Sequence, residues 1–268
     1  MCYWISKNIL QESLQLFPEI LERWNEPAAN LSGGQQQMLG LAMALHSAPK
    51  VIMIDELSLG LAPAVVERIL PVIKQIAANG TAVIIVEQSV NLALTIAERA
   101  YFMEKGKIRF SGATKDLLDR PDLLRSVFLS KVETAPIQIA HATEPSSEVT
   151  LKAKELTRRF GGIQAVASVS FDVKEKEIVG IMGPNGAGKT TLFDLLSGFV
   201  PQDSGSIYLG SRNISESSPS DRARFGLGRS FQDARLFPSL TVAEAVAVAL
   251  ERFASSRDPI SAGLHLPR

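Results

Sequence analysis

The most informative part of the sequence is GPNGAGKT, residues Gly183–Thr190. It fits the pattern G-x-x-x-x-G-K-[ST], and it stands between an apolar run, Ile178–Met182, and a helical pattern over Thr190–Leu196. Glycines let successive backbone N–H groups turn towards phosphate oxygens, and a helix that begins at Lys189 adds its positive end. An ordinary glycine-rich turn is the alternative, but the flanking strand and helix favour a nucleotide-binding loop.

A second stretch, VIMIDE, places two carboxylates at the end of an apolar strand. In open α/β sheets, ligands bind at the carboxyl ends of the strands. Asp55 in this position can hold Mg²⁺, and Glu56 can polarise a water molecule for attack on a γ-phosphate. A solvated strand end is the simpler interpretation of VIMIDE alone. The phosphate loop in the same chain favours the functional interpretation.

Strand and helix patterns alternate along the chain, which predicts an α/β fold with a parallel sheet. The predicted strands are Val51–Ile54, Ala82–Val86, Ala100–Met103, Thr150–Glu155, Ser168–Val173, Ile178–Met182 and Gly205–Leu209, and helical patterns cover Ala64–Ala78, Val90–Ala97 and Thr241–Phe253. Lys131–Thr150 has two prolines and no sustained period, which indicates a linker. The sequence therefore predicts two regions, 1–130 and 151–268, joined by a linker over 131–150.

Composition narrows the class of protein. The 268 residues include 28 Lys and Arg and 28 Asp and Glu, and this balance disfavours bulk nucleic-acid binding. A single cysteine excludes an internal disulfide framework. No apolar run reaches the ~20 residues that span a bilayer, and the first residues do not have the pattern of a secretion signal. We expect a soluble cytoplasmic protein.

The stretch NLSGGQQQ, residues 30–37, resembles the signature motif of ABC-type ATPases. Physically, Ser32 and the two glycines open a predicted helix, Gln35–Ala48, whose N–H groups and dipole can receive a γ-phosphate. Ser32 as an ordinary helix N-cap is the alternative. That alternative leaves Gly33 and Gly34 unexplained, because glycine weakens the start of a helix.

Further matches sharpen the resemblance. LSGGQQQM, DELSLGLAP and IIVEQSVNLAL are similar to the C-terminal half of one ATP-binding subunit of branched-chain amino-acid importers. GGIQAVASVSFDV, GPNGAGKTTLFDLLSGF and GRSFQDARLFPSLTVAEAV are similar to the N-terminal half of its sister subunit. The fold implied is the ABC ATPase form of the α/β P-loop NTPases, and the cofactors implied are ATP and Mg²⁺.

The resemblance and the motifs assign roles to particular residues. Catalytic roles are expected for Glu56, Gln88 at the switch position and Gln232 in the Q-loop. Metal binding is expected for Asp55, Thr190 and Gln232. Nucleotide binding is expected for Phe160 as the aromatic that stacks on adenine, and for Gly183, Pro184, Asn185, Gly186, Ala187, Gly188, Lys189, Thr190, Thr191, Ser32, Gly33, Gly34 and Gln35. Ser58-Leu59-Gly60-Leu61 resembles the D-loop.

The chain departs from the family in two residues and in its motif order. The usual proline after the catalytic glutamate is Leu57, and the switch histidine is Gln88, an amide that cannot titrate. The phosphate loop and Q-loop follow the signature and the acidic strand end here, whereas in the family they precede them. Two explanations stay open. The chain is either part of a tandem fusion of two ATPases or one circularly permuted domain.

If the two regions dock as one permuted domain, strand Val51–Ile54 is expected beside strand Ile178–Met182. In the family, ATP lies between the phosphate loop of one domain and the signature of another. We therefore expect Ser32–Gly34 to lie far from Lys189 of the same chain. The apolar stretch Arg235–Leu240 is expected to contact a membrane permease, with a buried turn as the equal alternative.

The implied function is ATP hydrolysis that powers import of branched-chain or related amino acids through permease subunits, on the inner face of the cell membrane. The implied partners are those subunits, a second ATP-binding domain and, indirectly, an external solute-binding protein, with no nucleic acid. Urea and short amides remain alternative solutes. A soluble non-transport ABC ATPase and a non-catalytic nucleotide-binding fragment remain alternative functions.

Overall fold

The computed structural model describes residues 16–118, 137–138, 148–230 and 238–250. The chain forms two compact units, which are described separately. The helical unit combines Met1–Ala48 with Ala234–Arg268, and the sheet unit is Pro49–Asp233. The sheet unit therefore contains residues from both predicted regions, and its limits differ from the predicted boundaries at 130 and 150.

The larger sheet of the sheet unit has seven strands. They are β1 (Val51–Asp55), β2 (Ala82–Glu87), β3 (Arg99–Glu104), β4 (Lys107–Ala113), β5 (Ile137–Gln138), β8 (Ile178–Met182) and β11 (Leu227–Ser230). Their order across the sheet is β11-β1-β2-β8-β3-β4-β5, and only the β3–β4 pair is antiparallel. Every residue of β1, β2 and β8 is buried, as expected for parallel strands covered on both faces.

The prediction that β1 lies beside β8 is wrong. Strand β2 lies between β1 and β8, with Val83 opposite Ile178 and Glu87 opposite Met182. The apolar composition of β1 fits a central position but does not select its neighbour, because β2 is equally apolar. Residues before and after the predicted linker nevertheless share one sheet, through β2–β8 and β3–β8 pairing.

A second, antiparallel sheet has the strand order β10-β9-β6-β7. Its strands are β6 (Val149–Phe160), β7 (Ile163–Lys174), β9 (Ser204–Leu209) and β10 (Arg212–Asn213). Strands β6 and β7 are longer than the predicted runs, and β6 begins inside the predicted linker. Within that linker, β5 also pairs with Phe110 and Ser111 of β4. One apolar core joins the two sheets, with members such as Val179, Leu151 and Phe193.

Short helices complete the sheet unit. They are α3 (Pro63–Ala78), α4 (Val90–Ile96), α5 (Thr114–Leu118), α6 (Lys189–Ser197) and α7 (Pro219–Phe225). The helices predicted over Ala64–Ala78 and Val90–Ala97 are confirmed by α3 and α4. Helix α6 begins directly after the phosphate loop, which is the predicted context of that motif.

The helical unit is built from α1 (Pro18–Glu22), a 3₁₀ turn (Ala28–Asn30), α2 (Gly33–Leu45) and α8 (Val242–Leu250). A single bridge pairs Pro27 with Thr241, and the N–H of Val242 donates to the carbonyl of Glu26 at 3.0 Å. Within the described ranges, no helix is long and apolar enough to cross a membrane. Gln232 and 235–237 lie outside the described residues.

Candidate nucleotide-binding site

The phosphate loop connects β8 to α6 in the geometry that the motif requires. Gly188 has a φ of +99°, and a Cβ at this position would clash with the carbonyl oxygen of Ala165. The N–H of Gly106 donates to the carbonyl of Ala187 at 2.9 Å. The loop is therefore held between residues 106 and 165, and only glycine fits at position 188.

Lys189 is 5% exposed and lies inside the loop. Its ammonium donates to the carbonyl of Gly183 at 2.7 Å and to that of Pro184 at 3.1 Å. Burial lowers the pKa of Lys189, while the negative charges of Glu56, Asp55 and Glu87 act in the opposite direction. The cation is thus fixed at the loop, where an incoming phosphate can replace the two carbonyls as its partner.

A pocket of about 390 Å³ opens at this loop. It is lined by Glu56, Lys105, Ile163, Gln164, Ala165, Asn185, Gly186, Ala187, Gly188, Lys189, Thr190 and Thr191. Seven of these residues, 185–191, are predicted nucleotide-binding positions, and Glu56 is the predicted catalytic carboxylate. The structure therefore brings the predicted general base to the same pocket as the predicted phosphate loop.

Glu56 and Gln88 are in direct contact. The amide of Gln88 donates to Glu56 Oε1 at 2.9 Å, and the backbone N–H of Glu56 donates to Val86 at 2.9 Å. Glu56 has a φ of +47°, a left-handed backbone conformation at the end of β1. The two residues lie 32 positions apart in the chain and meet because β1 and β2 are neighbours.

Asp55 is 2% exposed at the end of β1. Its Oδ2 accepts from Arg229 at 3.4 Å, and Arg229 also donates to Asp194 at 2.7 Å. Burial raises the pKa of Asp55, and the Arg229 guanidinium acts against that shift. The other oxygen, Oδ1, is buried without a hydrogen-bond partner. A buried carboxylate oxygen without a partner fits a role as ligand of Mg²⁺ or of its bound water.

Sequence reasoning missed one contact next to the catalytic pair. Glu87 is 1% exposed and accepts from both the backbone N–H and the hydroxyl of Ser58, each at 3.0 Å. Burial raises the pKa of Glu87, and the two hydrogen bonds from Ser58 oppose the rise. This carboxylate ties the end of β2 to the stretch Ser58–Leu61, which resembles the D-loop. A glutamate at the end of an apolar strand was its only sequence signal.

Phe160 lies at the end of the β6–β7 hairpin and is 46% exposed. It is paired with Ile163, which lines the pocket and is 73% exposed. Phe160 therefore lies beside a residue that lines the phosphate-loop pocket. The stacking of Phe160 on adenine stays a prediction.

Ser32, Gly33, Gly34 and Gln35 begin α2 in the helical unit. Ser32 Oγ accepts from the N–H of Gln35 at 3.3 Å, while Gln35 Oε1 accepts from the N–H of Ser32 at 3.0 Å, which forms a capping box. The N-cap alternative is thus an accurate description of the local structure. Nothing lies within 4 Å of a Cβ built on Gly33, so local packing does not require glycine there.

Two family models match the chain. A model described as "ABC transporter" matches residues 166–265. A model described as "AAA domain, putative AbiEii toxin, Type IV TA system" matches residues 20–92. The first range includes the phosphate loop, and the second includes the acidic strand end together with Gln88.

Three curated relatives illustrate the similarity. The "High-affinity branched-chain amino acid transport ATP-binding protein BraG" of Pseudomonas aeruginosa is 43% identical over 112 residues, which are 42% of this chain and 48% of that protein. The LivG protein of the same description from Salmonella typhimurium is 45% identical over 103 residues, 38% of this chain and 40% of that protein. The "Ribose import ATP-binding protein RbsA" of Bacillus licheniformis is 32% identical over 203 residues, 75% of this chain and 39% of that protein. The chain spans less than half the length of each.

Proposed function

We propose that this chain, which has the α/β P-loop fold of an ABC transporter ATPase domain, binds and hydrolyses ATP to drive import of a solute through a membrane permease. The observation that carries the proposal is the convergence of Lys189, the phosphate loop and the Glu56–Gln88 pair on one pocket. These groups come from opposite sides of residues 131–150, and their meeting supports one composite nucleotide site.

Each residue has a distinct role in this proposal. The N–H groups of the phosphate loop and the Lys189 ammonium hold the β- and γ-phosphates. Glu56 accepts a hydrogen bond from the attacking water and orients it towards the γ-phosphate. Gln88 holds Glu56 by its amide and cannot itself exchange a proton with the water. Gln232 keeps its predicted role as a further water and metal contact.

Asp55 and Thr190 are the residues that would hold Mg²⁺. Within the described ranges no three His, Cys, Asp or Glu side chains form a metal cluster. A site with one protein carboxylate is normal for Mg²⁺, because this ion binds through one or two carboxylates together with substrate phosphates. When bound, the ion supplies neutralisation of negative charge on the phosphates.

The signature residues are proposed to act on a second nucleotide-binding domain. An exposed glycine that packing does not require suits a close approach of backbone to a phosphate, as at Gly33. In this arrangement Ser32–Gly34 of one domain complete the site that Lys189 begins in another. ATP hydrolysis then requires two domains, either two copies of this chain or this chain and a sister subunit.

The motif order has support from one relative. A match of 203 residues within 268 must cross residues 131–150 wherever it begins, and it occupies 39% of the RbsA protein. A single match that crosses this segment inside a protein about twice as long supports the motif order. That match supports a tandem-fusion origin, while pairing of β2 and β3 with β8 supports docking of the two regions into one domain.

The solute is proposed from the relatives named for branched-chain amino-acid transport, BraG and LivG. Branched-chain or related amino acids are the preferred class. The permease, a second ATP-binding domain and, through the permease, an external solute-binding protein are the proposed partners. The proposed location is the inner face of the cell membrane, where the permease would hold a chain that binds ATP.

Binding and turnover test the proposal separately. Lys189→Ala should weaken Mg-ATP binding by about ten- to a hundred-fold, because a charge-assisted contact to phosphate is lost. Glu56→Gln should keep binding and lower turnover by ~10²–10⁴. Lys74→Ala and Glu67→Gln, both exposed on α3, are the matched controls. Unchanged affinity in folded Lys189→Ala contradicts the phosphate role, and absence of turnover in the parent chain favours a non-catalytic nucleotide-binding fragment.

A further inference from the structure

The β6–β7 hairpin carries a stacked pair outside the motifs. The guanidinium carbon of Arg158 lies 4.8 Å from the centroid of the Phe160 ring. Because the ring is 46% exposed, the guanidinium covers part of it and leaves the remainder open to solvent. An arginine over an aromatic face is a favourable cation–π contact, and arginine stacks better than lysine because it is planar.

Asp203 holds the guanidinium in that position. Its Oδ1 accepts from Arg158 at 2.8 Å, and its Oδ2 accepts from the backbone N–H of Arg159 at 2.7 Å. The backbone N–H of Asp203 donates in turn to Thr157 at 2.8 Å. Arg158 Nε is buried without a hydrogen-bond partner. The guanidinium is therefore held by Asp203 through Nη1 and by its contact with the Phe160 ring.

The stacked pair lies on the same hairpin as two residues that line the phosphate-loop pocket. Phe160 pairs with Ile163, and Gly161, with a φ of +55°, allows the tight connection between them. Ile163 and Gln164 line the phosphate-loop pocket, so the hairpin end and the phosphate site border the same space. A base that lay on the side of this hairpin would meet the exposed Phe160 side chain.

We propose that Arg158, held by Asp203, is a positioning residue for the nucleotide base: it supports the Phe160 ring from behind so that a purine stacks on the open side. This inference rests on the proposed function. Stacking on an aromatic face tolerates any purine, so ATP and GTP are both affected. Arg158 acts through Phe160 and makes no contact with the phosphates.

The test compares ATP with inorganic tripolyphosphate, which carries the phosphates without a base, by calorimetric titration of the full chain. Phe160→Ala should raise the Kd for ATP by about ten- to a hundred-fold. Arg158→Met should raise it by about three- to ten-fold, and Asp203→Asn should raise it less, because asparagine still accepts from Arg159. The Kd for tripolyphosphate should not change in any of the three variants. Lys154→Met is the matched control on β6, the strand that carries Arg158, because Lys154 lies over the ring of Tyr208. This variant should change neither the Kd for ATP nor the Kd for tripolyphosphate.

A double-mutant cycle separates support of the ring from a general effect of charge. In the Phe160→Ala background, Arg158→Met should cause no further loss of ATP affinity. The same loss in both backgrounds, or a parallel loss for tripolyphosphate, overturns the inference while leaving the proposed function intact. Failure of the parent chain to bind ATP removes the proposed function and this inference with it. Melting curves confirm that each variant is folded, and Asp203→Asn provides the test if Arg158→Met does not fold.

Discussion

Arg222→Met should destabilise the sheet unit strongly, because Arg222 closes the end of the phosphate-loop helix. Its side chain is 2% exposed and donates to four backbone carbonyls, those of Leu195 at 2.6 Å, Leu196 at 2.8 Å, Ser215 at 2.7 Å and Ser217 at 3.0 Å. Leu195 and Leu196 belong to the last turn of α6, whose carbonyls have no partner within the helix.

The expected loss of stability in Arg222→Met follows from the four carbonyls that lose their hydrogen-bond donor. A buried acceptor without a partner costs ~1–3 kcal/mol, so four such groups set an upper limit of about 12 kcal/mol. Water that enters the space freed by the shorter methionine side chain satisfies part of this demand. Methionine also carries no charge, so the variant does not pay the cost of removing a guanidinium from water, which offsets part of the loss. We therefore expect a loss of about 3–5 kcal/mol, which corresponds to a fall of roughly 10 °C in Tm for a unit of this size.

Urea unfolding followed by circular dichroism measures this loss. Arg224→Met is the matched control on the same helix, since its side chain is 58% exposed and it pairs with Asp221 at 3.0 Å. A surface pair of this kind contributes less than about 1 kcal/mol. If the unfolding free energies of Arg222→Met and Arg224→Met agree within 1 kcal/mol, the four hydrogen bonds do not stabilise α6 and the reasoning is refuted.

Three further predictions concern other parts of the molecule. Glu87 has a raised pKa in the folded state, so its contribution to stability is full at low pH and is lost as the pH rises through the folded pKa. The Tm of the parent minus that of Glu87→Gln should therefore fall as the pH rises above the ordinary glutamate pKa of 4.5, and a difference that stays constant with pH contradicts this expectation. Arg99 donates to Glu177 at 2.8 Å and to the carbonyl of Asp172 at 2.6 Å, and these contacts join residues on either side of 131–150. Arg99→Met should therefore lower the free energy of unfolding by ~3–5 kcal/mol in urea titrations. A loss no larger than that of Arg224→Met contradicts a stabilising role for these contacts. Mixing Lys189→Ala with Ser32→Arg chains should restore part of the ATPase activity that each lacks alone, and specific activity should rise with concentration; activity that is independent of concentration opposes the two-domain arrangement.

Much of the candidate site was predictable because its chemistry is local in the chain. The residues of Gly183–Thr190 are consecutive, and a strand and a helix on either side place them at a helix N-terminus whatever the rest of the fold does. Asp55 and Glu56 follow an apolar strand, and the end of such a strand in an α/β sheet is where ligands bind. The capping box at Ser32 is likewise set by residues three positions apart.

The remaining contacts join residues that are distant in the chain, and no local pattern specifies them. Glu87 holds Ser58 across 29 positions, and Arg229 reaches Asp55 across 174. Arg158 and Asp203 meet across 45 positions because β6 lies beside β9. A sequence does not show which polar groups lose water on folding, so it does not reveal the partners of these charged residues.

Short-range patterns in the sequence were enough to predict the phosphate loop, the acidic strand end and the α/β class, because each depends on residue types at fixed short spacings. The order of the strands depended on the tertiary structure. Strands β1, β2 and β8 are all short, apolar and buried, so hydrophobic pattern alone allows several neighbours for β8. In the folded chain β2 pairs with both β1 and β8, and its pairing with β1 places Gln88 against Glu56 beside the phosphate loop.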